Sequence, residues 1–256
     1  MSDFSNDELM AVAAAKEIRD GEVAIIGTGL PMIAGYLAKY THAPNVSLLF
    51  ESGVIDAFPN RLATGVGDFC LVASCVKLAG VHYALSLLQG GAVDLGFLGA
   101  AEIDQYGNIN STFVGGDYEK PKVRFGGSGG ANDIASLAGR VVAIVPHQKR
   151  KFPKRCEYVT TPGHLDGPGS RDRAGLRGKG PVRVVTDLAV LGFDEATGRM
   201  KIESIHPQAS LEKVRDSTGF DLIEPDGIGE TPSPTPEQLH LLRDVIDPEG
   251  VYISHP

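Results

Sequence analysis

Residues 46–53, VSLLFESG, decide the fold. A short run of buried-strand type, Val46 to Phe50, stops abruptly at a charge, Glu51, and then at Ser52-Gly53. Apolar runs of this length bounded by turn residues read as strands, and the carboxyl end of a strand is where open α/β sheets place their ligands.

Upstream, Val23 to Ile26 is another apolar run, closed by Gly27-Thr28-Gly29. Leu30 to Tyr40 then has helical periodicity, with Pro31 tolerated in the first turn. Downstream, Val81 to Gln89 reads as a helix before the Gly90-Gly91 break, and Val93 to Leu98 as a strand ending at Gly99-Ala100-Ala101. Strand, helix and strand in alternation imply a parallel sheet covered on both faces. Ahead of this core, Asn6 to Arg19 reads as a surface helix with Asn6 as its N-cap and Gly21 as its stop.

Past the core, Asp104 to Asn108 is a turn sequence, followed by polar–apolar alternation and the glycine cluster Gly126 to Gly130. A helix over Asp133–Ala138 and a strand over Val141–Val145 resume the α/β pattern. Thr161 to Pro181, rich in Gly, Pro, Arg and Asp, reads as a long loop. Val182–Thr186, Ala189–Phe193 and Met200–Ile205 read as antiparallel additions, because only turn residues separate them. Leu211–Ser217 and Pro236–Ile246 read as closing helices, the second capped by Thr235 after a Pro- and Gly-rich linker, Glu224 to Pro234. The expected fold is therefore α/β: an open, mostly parallel sheet with helices on both faces plus antiparallel additions, forming one domain over 1–256.

A chain of 256 residues with 42% apolar content can bury a sizeable core, and its formal charge of −8 argues against nucleic acid or an anionic membrane as partner. No stretch approaches the roughly 20 apolar residues of a membrane span, and the acidic N-terminus lacks signal-peptide order. Cys70, Cys75 and Cys156 match neither a metal knuckle nor a disulfide framework, so they read as reduced thiols of a cytoplasmic protein.

Glu51 supports two readings, a strand-end glutamate facing solvent or a functional carboxylate, and spacing alone does not choose between them. Gly27-Thr28-Gly29 begins a dinucleotide fingerprint, but Met32 stands where the third glycine belongs. The cluster Gly126–Gly130 has no following Lys-Ser/Thr; it is either an ordinary loop or a run of amides able to hold an anion before the helix after Asn132. No HExxH or GxSxG occurs, which leaves metal and serine hydrolase chemistry unsupported, and no metal site is expected. The basic run His147 to Lys154, HQKRKFPK, reads either as a phosphate contact or as a solvated or subunit-facing charge run.

Six stretches in order, GTGLP (27–31), ESG (51–53), GFLGAAEID (96–104), YGNINST (106–112), GSGGAN (127–132) and TDL (186–188), with the closing IDP (246–248), span nearly the whole chain. In this it resembles the B subunits of class I coenzyme A transferases, in the glutaconate and 3-oxoadipate branch. The resemblance implies that Glu51 is the acyl-accepting nucleophile and forms a glutamyl-CoA thioester. For the oxyanion of that chemistry the backbone N–H groups of Gly129 and Gly130 are the candidates; Gly53, Gly99 and Ala100 are assigned with them to the oxyanion and substrate, and Gly27 and Gly29 to coenzyme A. The resemblance further implies no permanently bound cofactor, coenzyme A as a substrate, and an A subunit as partner in an A2B2-like assembly acting on dicarboxylates. The alternative is an acyl-CoA decarboxylase or ring-cleaving hydrolase of the same superfamily, in which the transferase glutamate is replaced; here it is retained.

Overall fold

The computed structural model describes residues 3–254. It divides into two compact units, one formed by the chain up to Leu98 together with the segment from Pro232, the other by Gly99–Thr231.

The first unit contains α1 (Asn6–Ala15), β1 (Val23–Ile26), α2 (Leu30–Tyr40), β2 (Ser47–Phe50), β3 (Val54–Ile55), β4 (Lys77–Leu78), α3 (Val81–Gln89) and β5 (Leu95–Gly99). Its strands lie in the order β5-β1-β2-β3-β4. β1 pairs in parallel with both β2 and β5, and β3 and β4 add antiparallel. The α/β expectation holds, with parallel strands at the centre. α1 departs from it: Glu8 to Ala15 are all buried. The run MAVAAA has no polar face, and a helix apolar all round belongs in a core, here against α2. Its cap is Ser5 rather than Asn6, in a capping box with Glu8, and the helix stops at Ala15 rather than Arg19. Glu8, fully buried, is held by Arg243 at 2.6 and 2.9 Å, which ties the C-terminal segment to the first turn. That segment begins as a helix, Pro236–His240, capped by Thr235 as expected; the rest of the predicted helix, Leu241–Ile246, is wound more widely as a π-helix.

The second unit contains β6 (Glu102–Ile103), β7 (Ile109–Asn110), β8 (Phe113–Gly116), β9 (Pro121–Arg124), α4 (Ala131–Leu137), β10 (Arg140–Ile144), α5 (Ser170–Arg173), β11 (Pro181–Val185), β12 (Ala189–Phe193), β13 (Met200–Ile205), α6 (Leu211–Asp216) and β14 (Gly229–Glu230). β10 and β11 are parallel, β12 and β13 add antiparallel as predicted, and β14 runs parallel to β13. β6-β7 and β8-β9 are separate hairpins. The predicted loop 161–181 is not structureless: α5 interrupts it, and its Arg171 is buried. That guanidinium donates to the carbonyls of Gly163 (2.8 Å), Ala135 (3.0 Å) and Arg177 (2.7 Å), pinning the segment to the end of α4. Among the described residues no helix is long and apolar enough to cross a membrane.

Candidate active site

Register sets the surroundings of Glu51. Ile26 lies opposite Phe50 in the parallel pair β1-β2, so Gly27 and Glu51 leave the sheet side by side at its carboxyl edge. Glu51 and Ser52 are the two central residues of a tight turn closed by the Gly53 N–H donating to the Phe50 carbonyl at 2.9 Å. Glu51 is half-buried there, and the Ser52 hydroxyl is buried without a hydrogen-bond partner among the described residues. Gly53 holds the shape: its φ is +91°, and its carbonyl accepts the Ala79 N–H at 2.9 Å. The Gly53 amide is committed to the turn.

A Cβ on Gly53 would lie 2.4 Å from the Gly80 carbonyl oxygen and 2.8 Å from the Ala79 carbonyl carbon. Positive φ costs an L-residue about 1–3 kcal/mol and forced overpacking about as much again. Gly53→Ala is therefore expected to lower the thermal midpoint by roughly 4–24 °C, at about 2–4 °C per kcal/mol for a chain of this size. Circular dichroism melting checks this; a shift below about 2 °C would mean that the turn relaxes freely.

Gly29, at φ +81°, caps α2, and the Tyr252 ring stands 3.9 Å from where its Cβ would be. A Cβ on Gly27 would meet nothing within 4 Å, so the backbone there is open to a ligand. The two glycines and Glu51 thus share one edge of the first unit.

The second unit carries the other expected residues. Gly99 ends β5 and Ala100 leads into β6, where Glu102 accepts a hydrogen bond from Asn110 Nδ2 at 2.7 Å. Burial raises the Glu102 carboxyl above its usual range, against the lowering effect of that hydrogen bond. Around the glycine cluster, Gly127 and Gly129 have φ of +89° and +48°, and Gly130 caps α4 in an ordinary αR conformation. The Gly129 N–H makes no hydrogen bond among the described residues. α4 begins at Ala131, two residues before the prediction, because the Ser128 hydroxyl accepts the Asn132 N–H at 3.0 Å.

Sequence reading missed what holds this loop. The Gly127 N–H donates to Ser111 O at 2.9 Å, and Asn132 Nδ2 donates to Thr160 O at 2.9 Å. The Thr160 hydroxyl in turn accepts the Ser111 N–H at 2.9 Å and meets Thr112 Oγ1 at 2.6 Å. Thr160 is thus a hub joining the segment 109–112 to the start of α4. The only sequence signal was a Thr-Thr pair in a loop, which carries no period.

Known proteins share this fold. The family model described as Coenzyme A transferase matches residues 8–217. The chain is 41% identical to the B subunit of glutaconate CoA-transferase from Acidaminococcus fermentans, over 100% of this chain and 97% of that protein. It is also 41% identical to the B subunit of 3-oxoadipate CoA-transferase from Pseudomonas knackmussii, over 95% and 94%. The crystal structure of glutaconate coenzyme A-transferase from A. fermentans superposes with a TM-score of 0.93 at 40% identity, covering 99% of this chain and 98% of that one. The chain belongs to the coenzyme A transferase family. Within it the chain is of the B-subunit type: both relatives are B subunits, and the likeness runs nearly the full length of each.

Proposed function

We propose that this chain, acting over 1–256 as one subunit, carries the nucleophile of a transferase that moves coenzyme A between an acyl-CoA and a carboxylic acid. The observation that carries the reading is Glu51 itself, a carboxylate held at the carboxyl edge of β2 on a turn whose shape Gly53 fixes. The Glu51 carboxylate attacks the thioester carbonyl of the donor; the C–S bond breaks, giving an acyl-glutamyl anhydride and coenzyme A thiolate. The thiolate attacks the glutamyl carbonyl, the donor acid leaves as its carboxylate, and a glutamyl-CoA thioester remains. The acceptor carboxylate attacks that thioester and expels the thiolate, which then attacks the acceptor's acyl carbonyl and frees Glu51. One difficult exchange is split into easier steps, and no bond energy is lost to hydrolysis. Each addition passes through an oxyanion, for which the Gly129 and Gly130 amides are the proposed donors. Gly99 and Ala100 are assigned to the substrate, and Gly27 and Gly29 to coenzyme A.

The acid substrates are assigned to the dicarboxylate class of glutaconate and 3-oxoadipate, by the names of the two relatives. The same names point to an A subunit. We infer an A2B2-like cytoplasmic enzyme that uses coenzyme A as substrate and holds no permanent cofactor. The test is reconstitution. This chain alone should exchange coenzyme A at under roughly one-hundredth of the rate it reaches with its A subunit, since a shared site loses its positioning groups when one half is missing. Screening acyl-CoA donors against mono- and dicarboxylic acids then identifies the pair. Full activity of the isolated chain would end the shared-site model.

A further inference from the structure

The basic run 147–154 is not a solvated tail. It follows β10, which runs parallel to β11 in the second unit, and so lies at the carboxyl edge where open α/β sheets bind ligands. Its anchors are buried. Phe152 is fully buried and stacks on the His147 ring at a centroid distance of 4.4 Å, and Phe152 O accepts the Gly219 N–H at 2.8 Å. The His147 ring hydrogen-bonds with the hydroxyls of Thr186 (3.0 Å) and Thr218 (2.9 Å), and the His147 backbone N–H donates to Asp187 at 2.5 Å. Burial pulls the ring's pKa to about 4, so it is neutral at pH 7 and serves as a post. Between these anchors Lys149–Lys151 forms a single 3₁₀ turn.

The charge on that turn is uncompensated. Lys149, Arg150, Lys151 and Lys154 make no salt bridge among the described residues, whereas Arg155, Arg183, Lys201 and Arg215 further along the chain are all paired with carboxylates. Four unpaired cations within six residues of a chain of net charge −8 repel one another, and burial followed by the Arg150 charge pulls the Lys151 ammonium down. A rigid, self-repelling turn is built to meet an anion. Beside it lies a cleft of about 370 Å³ lined by Lys149, Thr218, Gly219, Phe220 and Leu222, together with Arg215, Glu224 and Asp221. Arg215 neutralises Glu224 through a two-pronged pair, so the lining outside the turn carries a single net negative charge, on Asp221, beside the positive turn. Half-buried Phe220 offers an aromatic surface within it.

An aromatic-lined cleft beside a fixed positive turn fits a ligand with a flat uncharged base and a phosphorylated sugar. We propose that this site holds the 3′-phosphorylated adenosine diphosphate end of coenzyme A, with its phosphates on Lys149, Arg150 and Lys151 and its adenine against Phe220. This deepens the transferase reading and rests on it, since that family supplies the ligand. It assigns the nucleotide to the second unit and leaves Gly27 and Gly29 to the thiol-bearing arm.

The test uses the assembled enzyme, with adenosine 3′,5′-bisphosphate as the binding probe in calorimetry. Replacing Lys149, Arg150 and Lys151 together by alanine is expected to weaken the probe about 10–100-fold and to raise KM for acyl-CoA by a similar factor, while kcat falls less than about twofold. The wild-type affinity should drop with added salt and the variant's much less, as for an electrostatic contact. The conservative variant Lys149→Arg should keep most of the affinity. Unchanged probe affinity in the triple variant overturns the proposal, whether the assembly stays intact or dissociates on size exclusion; dissociation would show the turn to be a subunit contact. The binding arm needs no turnover. A wild-type enzyme that fails to exchange coenzyme A therefore sinks the transferase reading by itself, separately from this site.

Discussion

Glu51→Ala should abolish coenzyme A exchange by the assembled enzyme, a loss of about 10⁴–10⁶-fold by analogy with removal of other covalent nucleophiles. The carboxylate changes covalent state in every turnover, so the loss should be accompanied by loss of an isolable intermediate. With acyl-CoA and no acceptor acid, the wild-type enzyme should accumulate the glutamyl-CoA thioester. Borohydride reduces that thioester to an alcohol, and peptide mapping should place the change on the peptide containing Phe50-Glu51-Ser52. The competing nucleophiles are chemically poor. Cys156 is part-buried, and burial, followed by the Asp104 charge, pushes its thiol far above the usual range. Cys70 is also raised by burial. Glu102→Ala should slow the enzyme, because its carboxylate holds Asn110, yet leave the adduct on Glu51. Glu51→Asp keeps the charge but withdraws it by one methylene, which should cost about 10²-fold. An adduct on Glu102 or on a cysteine would mean that the nucleophile lies elsewhere.

The sequence made the strands and helices of the sheet legible where a local pattern suffices. α2 and α3 span Leu30–Tyr40 and Val81–Gln89, and β12 and β13 span Ala189–Phe193 and Met200–Ile205, all with the limits predicted. Each is an apolar or amphipathic run closed by glycine or other turn residues, so the boundary is written beside the element. The two-residue strands β3, β4, β6, β7 and β14 were not legible. Such a strand has no period of its own and exists only through its partner. The burial of α1 was misjudged because Asn6, Asp7 and Glu8 give a polar start to a helix whose remaining turns have no polar side.

At the site the same division holds. Glu51 could be found because a charge ending an apolar strand is conspicuous, but its turn geometry depends on Gly80, far along the chain, whose carbonyl leaves no room beside Gly53. The grip on the glycine loop depends on Thr160 and Ser111, which nothing in sequence spacing connects to Gly127. Arg171 read as one more polar residue in a loop, although three segments of chain hang on its guanidinium. Residues that act by reaching across the fold leave no local signature.

Gly130→Ala is the cleanest probe of the proposed oxyanion site, because the backbone there tolerates a side chain. Gly130 has φ −81° and ψ 0°, which alanine adopts without strain, whereas Gly129 at φ +48° would be strained by any substitution. A change at Gly130 therefore reports on the space and the donors around its amide rather than on a refolded loop. The loop cannot easily drift to absorb it, since Gly127 and Asn132 are tied to Ser111 and Thr160 on either side. If the Gly129 and Gly130 amides meet the oxyanion, a methyl group that displaces the reacting carbonyl removes an interaction present mainly in the transition state. The expected result is a fall in kcat of about 10²–10³-fold, the loss seen when one oxyanion donor is removed, with KM for acyl-CoA changed by less than about threefold. The thioester on Glu51 should still form, only more slowly, in single-turnover measurements. A folded Gly130→Ala enzyme with wild-type kcat would reduce the loop to scaffolding, and a rise in KM alone would make it a binding element for the ground state.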